Sequence, residues 1–298
     1  MREAVCGGVV IKLTVKKIKI SIKIFAVIII IAVLPYYFST YGKTNEYDIY
    51  ALSYGNSEYR EDIIYEDGDP NNKIEIEWMF WVVKGSGRIM LVDTGFDDES
   101  AAKNLQFSYY IHPVERLKQL NVRPSDITDV IITHTHWDHI GCLEYYSNAV
   151  LWIQEKEYKY LISGSKKGNR SGITAVQVLS KALDEGRLRI LEGSRRIIPG
   201  IRVCLDGAHT PGHQHVRINT VQGTVIIAGD AAYTHHNLYE DRPIGLAVDR
   251  DAAAAVLRDM KKHVDTVDFI LPGHSSLVMD KFPVVSEGIV HVISKEKR

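Results

Sequence analysis

Four side chains able to bind a metal ion, His134, His136, Asp138 and His139, crowd into six positions of the stretch THTHWDHIG, residues 133–141. Similar groups recur further on, in HTPGH at 209–213, AGD at 228–230 and LPGH at 271–274. Imidazole and carboxylate together suit zinc, iron, cobalt or manganese, and the lack of thiols in these stretches argues against a purely structural zinc. On an extended segment alternate side chains share a side, so His134 and His136 face one way while Asp138 and His139 continue round the following turn. One short loop can thus feed two ions. An isolated HxH pair would carry little meaning; what gives it meaning is the return of His213, Asp230 and His274 at later strand ends.

Such a constellation needs rigid elements that end at a common edge. The run DVIIT reads as a buried strand ending at Thr133. Before it, IEIEWMFWVVK and GRIMLVDTG look like two strands joined by the Gly85-Ser86-Gly87 turn, a hairpin signal. PVERLKQLN reads as helix, AVLWIQ as strand, and ITAVQVLSKALDEG as a helix closed by Gly186. IRVCLD, HVRINTV and GTVIIAGD follow as strands, the last two hinged at Gln222-Gly223, and the helix DRDAAAAVLRDMKKH precedes the strand DFILPGH. This order predicts two sheets with helices outside them, an α/β class fold of αββα sandwich type.

Composition sets the outer limits. The 298 residues can bury a full core. A formal net charge of -1 supplies no global basic field for nucleic acid. Cys6, Cys142 and Cys204 are too dispersed for a disulfide framework. The N-terminus departs from this ordinariness: Lys12, Lys16, Lys17, Lys19 and Lys23 precede a stretch from Ile24 to Gly42 without any charge. That stretch is about long enough to cross a bilayer as a helix, with its basic flank on the cytoplasmic side. The expected organisation is therefore a basic, membrane-anchoring segment over residues 1–42 and a catalytic domain over 43–298 lying outside the cytoplasm. The alternative is secretion after signal cleavage, although no small-x-small cleavage site follows Leu34. The first 23 residues hold six of the 36 basic groups and one of the 37 acidic ones, which leaves 30 and 36 for the rest. The remainder is mildly acidic, which disfavours a polyanionic substrate such as RNA.

THTHWDHIG fits the HxHxDH signature of the metallo-β-lactamase superfamily, and VDTG, HTPGH, AGD and LPGH follow in that superfamily's order. The resemblance covers about residues 47–285. It implies two divalent ions, zinc foremost with iron, cobalt or manganese as alternatives. His134, His136 and His213 would hold one ion, Asp138, His139 and His274 the other, and Asp230 would bridge them; the chemistry implied is hydrolysis by activated water. Tyr233, three residues after Asp230, resembles the N-acyl homoserine lactonase branch, where the equivalent tyrosine faces the substrate carbonyl. Its phenol would donate to the developing oxyanion, and Asp138 would return a proton to the leaving alkoxide. The substrate implied is a small lactone or ester. The same ligands also serve glyoxalase II type thioester hydrolases, and a membrane-tethered binding module without catalysis is a further alternative. Asp93 is expected to orient a ligand imidazole. His209 and His215 flank His213, so the third imidazole is chosen by its TPGH context. Cys142 stands where the superfamily usually has glycine, His235 and His236 read as solvated loop residues, and Trp78, Phe80 and Trp81 as sandwich core, with one of them lining an acyl-chain groove as the alternative.

Overall fold

The computed structural model describes residues 46–165 and 170–293. The segment expected to anchor the chain, residues 1–42, lies outside them. Among the described residues no helix is long and apolar enough to cross a membrane.

Two sheets form the centre. The first is built from β1 (Asp48–Arg60), β2 (Lys73–Gly85), β3 (Arg88–Val92), β4 (Tyr109–Tyr110), β5 (Asp129–Ile131), β6 (Val150–Gln154), β7 (Leu188–Leu191), β13 (Val284–Ser286) and β14 (Ile289–Ile293), in the order β13-β14-β1-β2-β3-β5-β6-β7 with β4 against β1. The second runs β12 (Ile270–Pro272), β11 (Gly223–Gly229), β10 (Gln214–Thr220), β9 (Ile201–Leu205), β8 (Arg195–Ile198). β3, β5, β6 and β7 are mutually parallel, as are β11 and β12. The helices used below are α1 (Pro113–Gln119), α2 (Trp137–Ile140), α3 (Glu155–Ser165), α4 (Arg170–Asp184), α5 (His235–Tyr239) and α6 (Arg250–Lys261).

Both sheets are covered on both faces, and the period-2 pleat shows it. On β2, Met79, Trp81 and Val83 join Val203, Val216, Ile218, Val225 and Ile227 in the layer between the sheets. Trp78, Phe80 and Val82 point the other way, into the layer that also holds Leu117 of α1 and Leu179 of α4. On the second sheet Ile226 and Ala228 face out, in the same cluster as Leu257 and Met260 of α6. The expected αββα sandwich is therefore present. The hairpin signal held as well. Ser86 (φ 50°) and Gly87 (φ 72°) make the left-handed turn that pairs Gly85 with Arg88. Asp249 caps α6 by accepting from Ala252 N at 2.9 Å.

The consequence for chemistry is positional. The segments after β3, β5, β9, β11 and β12 all emerge at one edge of the sandwich, and they carry Asp93, the 134–139 histidines, His209, Asp230 and His274.

Candidate metal centre

His134, His136, His209 and Asp230 form one group whose potential ligand atoms all lie within 4.8 Å of one another; Asp138, His139 and His274 form a second. His136 Nδ1 is 3.0 Å from His134 Nε2 and 2.9 Å from His209 Nε2. Asp230 spans the two groups. Its Oδ2 lies 3.3 Å from His209 Nε2 and 3.6 Å from His134 Nε2, while its Oδ1 lies 3.3 Å from both His139 Nε2 and His274 Nε2. Asp138 Oδ2 completes the second group, 3.1 Å from His139 Nε2.

The outward nitrogens explain why the inward ones are unsatisfied. His139 Nδ1 donates to Asp93 Oδ2 at 2.8 Å, His209 Nδ1 to the Leu246 carbonyl at 2.7 Å and His274 Nδ1 to the Glu77 carbonyl at 3.0 Å. Each outward hydrogen bond fixes a tautomer whose other nitrogen presents a bare lone pair to the centre. Burial favours the neutral form of two of the inward rings, pushing His134 well below its ordinary value and His209 down to about 3, whereas at His139 burial is outweighed by Asp138, Asp230 and Asp93, which raise it well above the ordinary value. His139 Nε2 and Asp230 Oδ1 are buried with no hydrogen-bond partner at all. Converging lone pairs and a buried carboxylate repel one another unless cations lie between them, so the donor set fits two divalent ions of the borderline type that imidazole and carboxylate prefer.

The geometry corrects one expectation. His213 does not join the inward cluster; its Nδ1 donates to Asp206 at 2.8 Å and its Nε2 accepts the Asp230 backbone N–H at 3.1 Å. His209 takes the place assigned to it. The physical reason is position along the loop. His213 immediately precedes β10 and is drawn back toward the strands, whereas His209 sits near the loop's tip beyond both strand ends. One further reading changes. His235 is fully buried and donates to or accepts from Ser275 Oγ at 2.7 Å through Nδ1, so of the pair only His236 is solvated. Trp78 packs in the core as expected but also lines the cavity above the metal ligands.

Asp93 does hold an imidazole, and it ties in Thr133 too, accepting from Thr133 N at 2.8 Å and Thr133 Oγ1 at 2.7 Å. Its φ of 60° lets the carboxylate turn back toward the loop after β5. Two other buried carboxylates escaped the sequence reading. Glu157 of α3 accepts from Thr135 N and Thr135 Oγ1 (both 2.7 Å), from Thr210 Oγ1 (2.7 Å) and from Gly212 N (3.0 Å), so it staples the 133–139 loop to the 206–213 loop. Asp206 accepts from both His213 and His215. Neither stands in a motif; an acid in a helix or after a strand has no sequence mark of burial.

Above the ligands lies a cavity of about 170 Å³ lined by Tyr59, Ile76, Trp78, Trp137, Tyr233 and Leu246, with Asp138 and His274 at its floor. The Tyr233 ring sits 5.4 Å from that of His274 and 5.8 Å from that of His209. Burial, reinforced by Asp230 and Asp138, pushes its phenol well above the ordinary range, so it remains a proton donor. Cys142 is fully buried and donates its backbone N–H to Thr94 Oγ1, away from the ligand atoms.

Similarity to known proteins agrees with this geometry. An N-acyl homoserine lactonase of Bacillus cereus is 28% identical over 187 residues, covering 61% of this chain and 62% of that protein. The N-acyl homoserine lactonase AiiB of Agrobacterium fabrum is 32% identical over 130 residues, 41% of this chain and 47% of AiiB. The chain thus spans less than two thirds of the length of these relatives. A crystal structure of a quorum-quenching N-acyl homoserine lactone lactonase shares the fold with a TM-score of 0.67 and 23% identity, over 81% of this chain and 97% of that one. AidC, a dizinc quorum-quenching lactonase, superposes with a TM-score of 0.60 and 18% identity, over 86% and 97%. Residues 79–274, well over half the chain, match the metallo-beta-lactamase superfamily, and the chain belongs to it.

Proposed function

We propose that this protein is a dinuclear metal hydrolase that opens the ester ring of lactones, N-acyl homoserine lactones foremost. The observation that carries the reading is the bridged donor set, His134, His136, His209 and Asp230 beside Asp138, His139 and His274, lying under a cavity that Tyr233 closes. Zinc is the favoured occupant for this donor chemistry. Two divalent ions held there would supply water acidified to near neutral pH and a Lewis acid for the carbonyl.

The chain's own residues do the rest. Tyr233 directs a protonated phenol at the carbonyl oxygen, where charge builds during ring opening. Asp138, at the cavity floor, takes the proton released by the attacking water and hands it to the alkoxide as it leaves. Trp78, Trp137 and Leu246 give the acyl amide an apolar wall and keep bulk water out. A thioester would meet the same ligands, but the lactonase relatives and the placement of Tyr233 favour the lactone. The uncharged, lysine-flanked stretch over residues 24–42 supports a membrane anchor that holds the hydrolase outside the cytoplasm; membrane fractionation, with protease added to intact cells, tests that placement.

The test of the activity is a pH-stat assay of the full-length, zinc-loaded protein against an acyl homoserine lactone, an acyl thioester and a cephalosporin. The lactone is expected to give the highest kcat/KM. Preference for the thioester would move the reading to that hydrolase class, and inactivity on all three with two ions bound would end it.

A further inference from the structure

A second cluster of reactive groups lies on the opposite face of the second sheet. Ile201 and Val203 of β9 and Val216 and Ile218 of β10 point between the sheets, so the pleat turns Arg202, Cys204, His215 and Arg217 outward, toward α6. Cys204 and His215 are direct cross-strand neighbours, so their side chains stand side by side on that face. One ring nitrogen, His215 Nδ1, is held by Asp206 Oδ2 at 3.0 Å. A thiol, an imidazole and a buried carboxylate therefore stand in series, the order in which a base is oriented to take a proton from a nucleophile. Together they line a cavity of about 410 Å³ that is closed on its far side by Ala252, Val256 and Asp259 of α6 and rimmed by Arg202, Arg217 and His263. It shares no residue with the cavity above the metal ligands.

We propose that Cys204 is a second nucleophilic centre, primed by His215 and Asp206, which forms a thioether with a small electrophile carrying a carboxylate that enters the pocket between β9, β10 and α6. The residues around the sulfur favour the thiolate and select the anion. Burial acts to raise the thiol's pKa, but His215, Arg217 and Arg202 outweigh it and bring it below the ordinary value. Arg217 Nε lies 3.2 Å from His215 Nε2, and Arg217 is anchored by Asp259 at 2.8 Å. Once the thiol proton passes to Nε2, the guanidinium remains beside the thiolate and balances its charge. His263 faces the same space and pairs with Asp259 at 3.6 Å, which leaves the Arg202 side chain, 3.5 Å from the Ser194 carbonyl and with no other hydrogen-bond partner among the described residues, to meet an incoming anion. With an α,β-unsaturated carboxylate the sulfur bonds to the β carbon, the π pair moves to the α carbon, and that carbon takes the proton His215 had accepted. No electrons are gained or lost overall.

The chain carries its own control. Cys142 is also buried, but among groups that push its thiol well above the ordinary value, burial first. The full-length, metal-loaded protein is treated at pH 6 with iodoacetate or iodoacetamide, and modification is followed on the peptides containing Cys204 and Cys142; here the sulfur displaces iodide, which leaves with the bonding pair. A thiol of pKa about 8.5 is under about 1% ionised at pH 6, so a primed Cys204 should react at least about tenfold faster than a free thiol there, even after the nucleophilicity lost with its lower pKa. Cys142 should remain unmodified, and Cys204 should favour iodoacetate over iodoacetamide more than glutathione does. His215→Gln should return Cys204 to an ordinary thiol's pH profile. Arg202→Gln, an exposed change that leaves the fold intact, should abolish the preference for iodoacetate. Should His215→Gln fail to fold, the wild-type profile and Arg202→Gln decide. Cys204 reacting no faster than a free thiol at pH 6, or a wild-type anion preference no greater than that of glutathione, overturns the proposal.

Discussion

Alanine at His209 and at His213 should have different effects, and the difference tests the metal centre directly. His209 Nε2 points at Asp230 and His136 among the inward donors, whereas His213 spends both nitrogens on Asp206 and the Asp230 backbone. A four-donor zinc site binds with about 10–16 kcal/mol, so one donor is worth about 2.5 to 4 kcal/mol, a factor of about 10² to 10³ in affinity. His209→Ala should therefore drop the ion held by His134 and His136 while leaving the one held by Asp138, His139 and His274. His213→Ala removes an orienting contact and no donor, so its effect should stay within the about 10- to 100-fold typical of outer-shell partners. Competition against a chromophoric chelator, with metal content measured after desalting, reads both. The reasoning fails if His213→Ala loses an ion that His209→Ala retains, or if the two variants weaken binding equally.

Tyr233→Phe should keep both ions and the melting temperature but lower lactone turnover, by up to about 10²-fold if the phenol is a main oxyanion donor; unchanged lactone kinetics would remove it from the chemistry. Glu157→Gln puts an amide N–H₂ among four donors, so metal affinity measured by chelator competition should fall about 10- to 100-fold with some loss of thermal stability, and unaltered affinity would show that the staple does not position the ligands. Asp206→Asn leaves two histidines without their buried partner and should cost about 3 kcal/mol by denaturant titration. Its effect should depend on pH. Burial opposes both charges, yet His213 and His215 hold Asp206 below its ordinary 3.8, and Asp206 and Cys204 raise His215 to about 9. The Asp206 contribution is present above pH 3.8 and lost as pH falls; the His215 contribution is present below pH 6.5 and lost as pH rises through about 9. The gap between wild type and variant should thus be widest between these limits and narrow on both sides; a flat gap from pH 4 to 9 would contradict the pairing.

Elements with strong local signals were legible in the sequence. The β2–β3 hairpin carried its left-handed turn, α4 its closing Gly186, and the strands before the ligand loops their apolar runs. β1 was not read, although it is among the longest strands and joins β2, β4 and β14. Its DIYALSYGNSEYR has no clean alternation because the register with β2 slips between Ser53 and Gly55, where an added Cβ would meet the Phe107 ring. β14 pairs with β1 from more than 200 residues away and β13 adds to β14, and that distance leaves no local trace. The ligand set was legible where a motif fixed one residue and ambiguous where the 209–215 segment offered three histidines. Residue type could not separate His209 from His213; that choice belongs to the tertiary packing of the loop.

The three buried carboxylates share a logic that explains how such a site can exist before any ion arrives. Asp93 joins the end of β3 to Thr133 and His139, Glu157 joins α3 to Thr135, Thr210 and Gly212, and Asp206 joins the turn after β9 to His213 and His215. Each binds loop to loop across a sequence gap, and each spends its charge on backbone N–H, hydroxyl or imidazole donors instead of an arginine or lysine. A basic partner in those places would bring a permanent positive charge close to the centre and compete with the ions for Asp230 and Asp138. A carboxylate satisfied by neutral or imidazole donors fixes the loops and leaves the negative charge needed to attract cations. Gly273 belongs to the same arrangement: a Cβ there would stand 2.8 Å from Asp230 Oδ1, so the residue before His274 must be bare for the bridging carboxylate to lie between the two histidine groups. Positioning at this edge is therefore supplied by acids and by missing side chains, and the imidazoles are free to present their lone pairs.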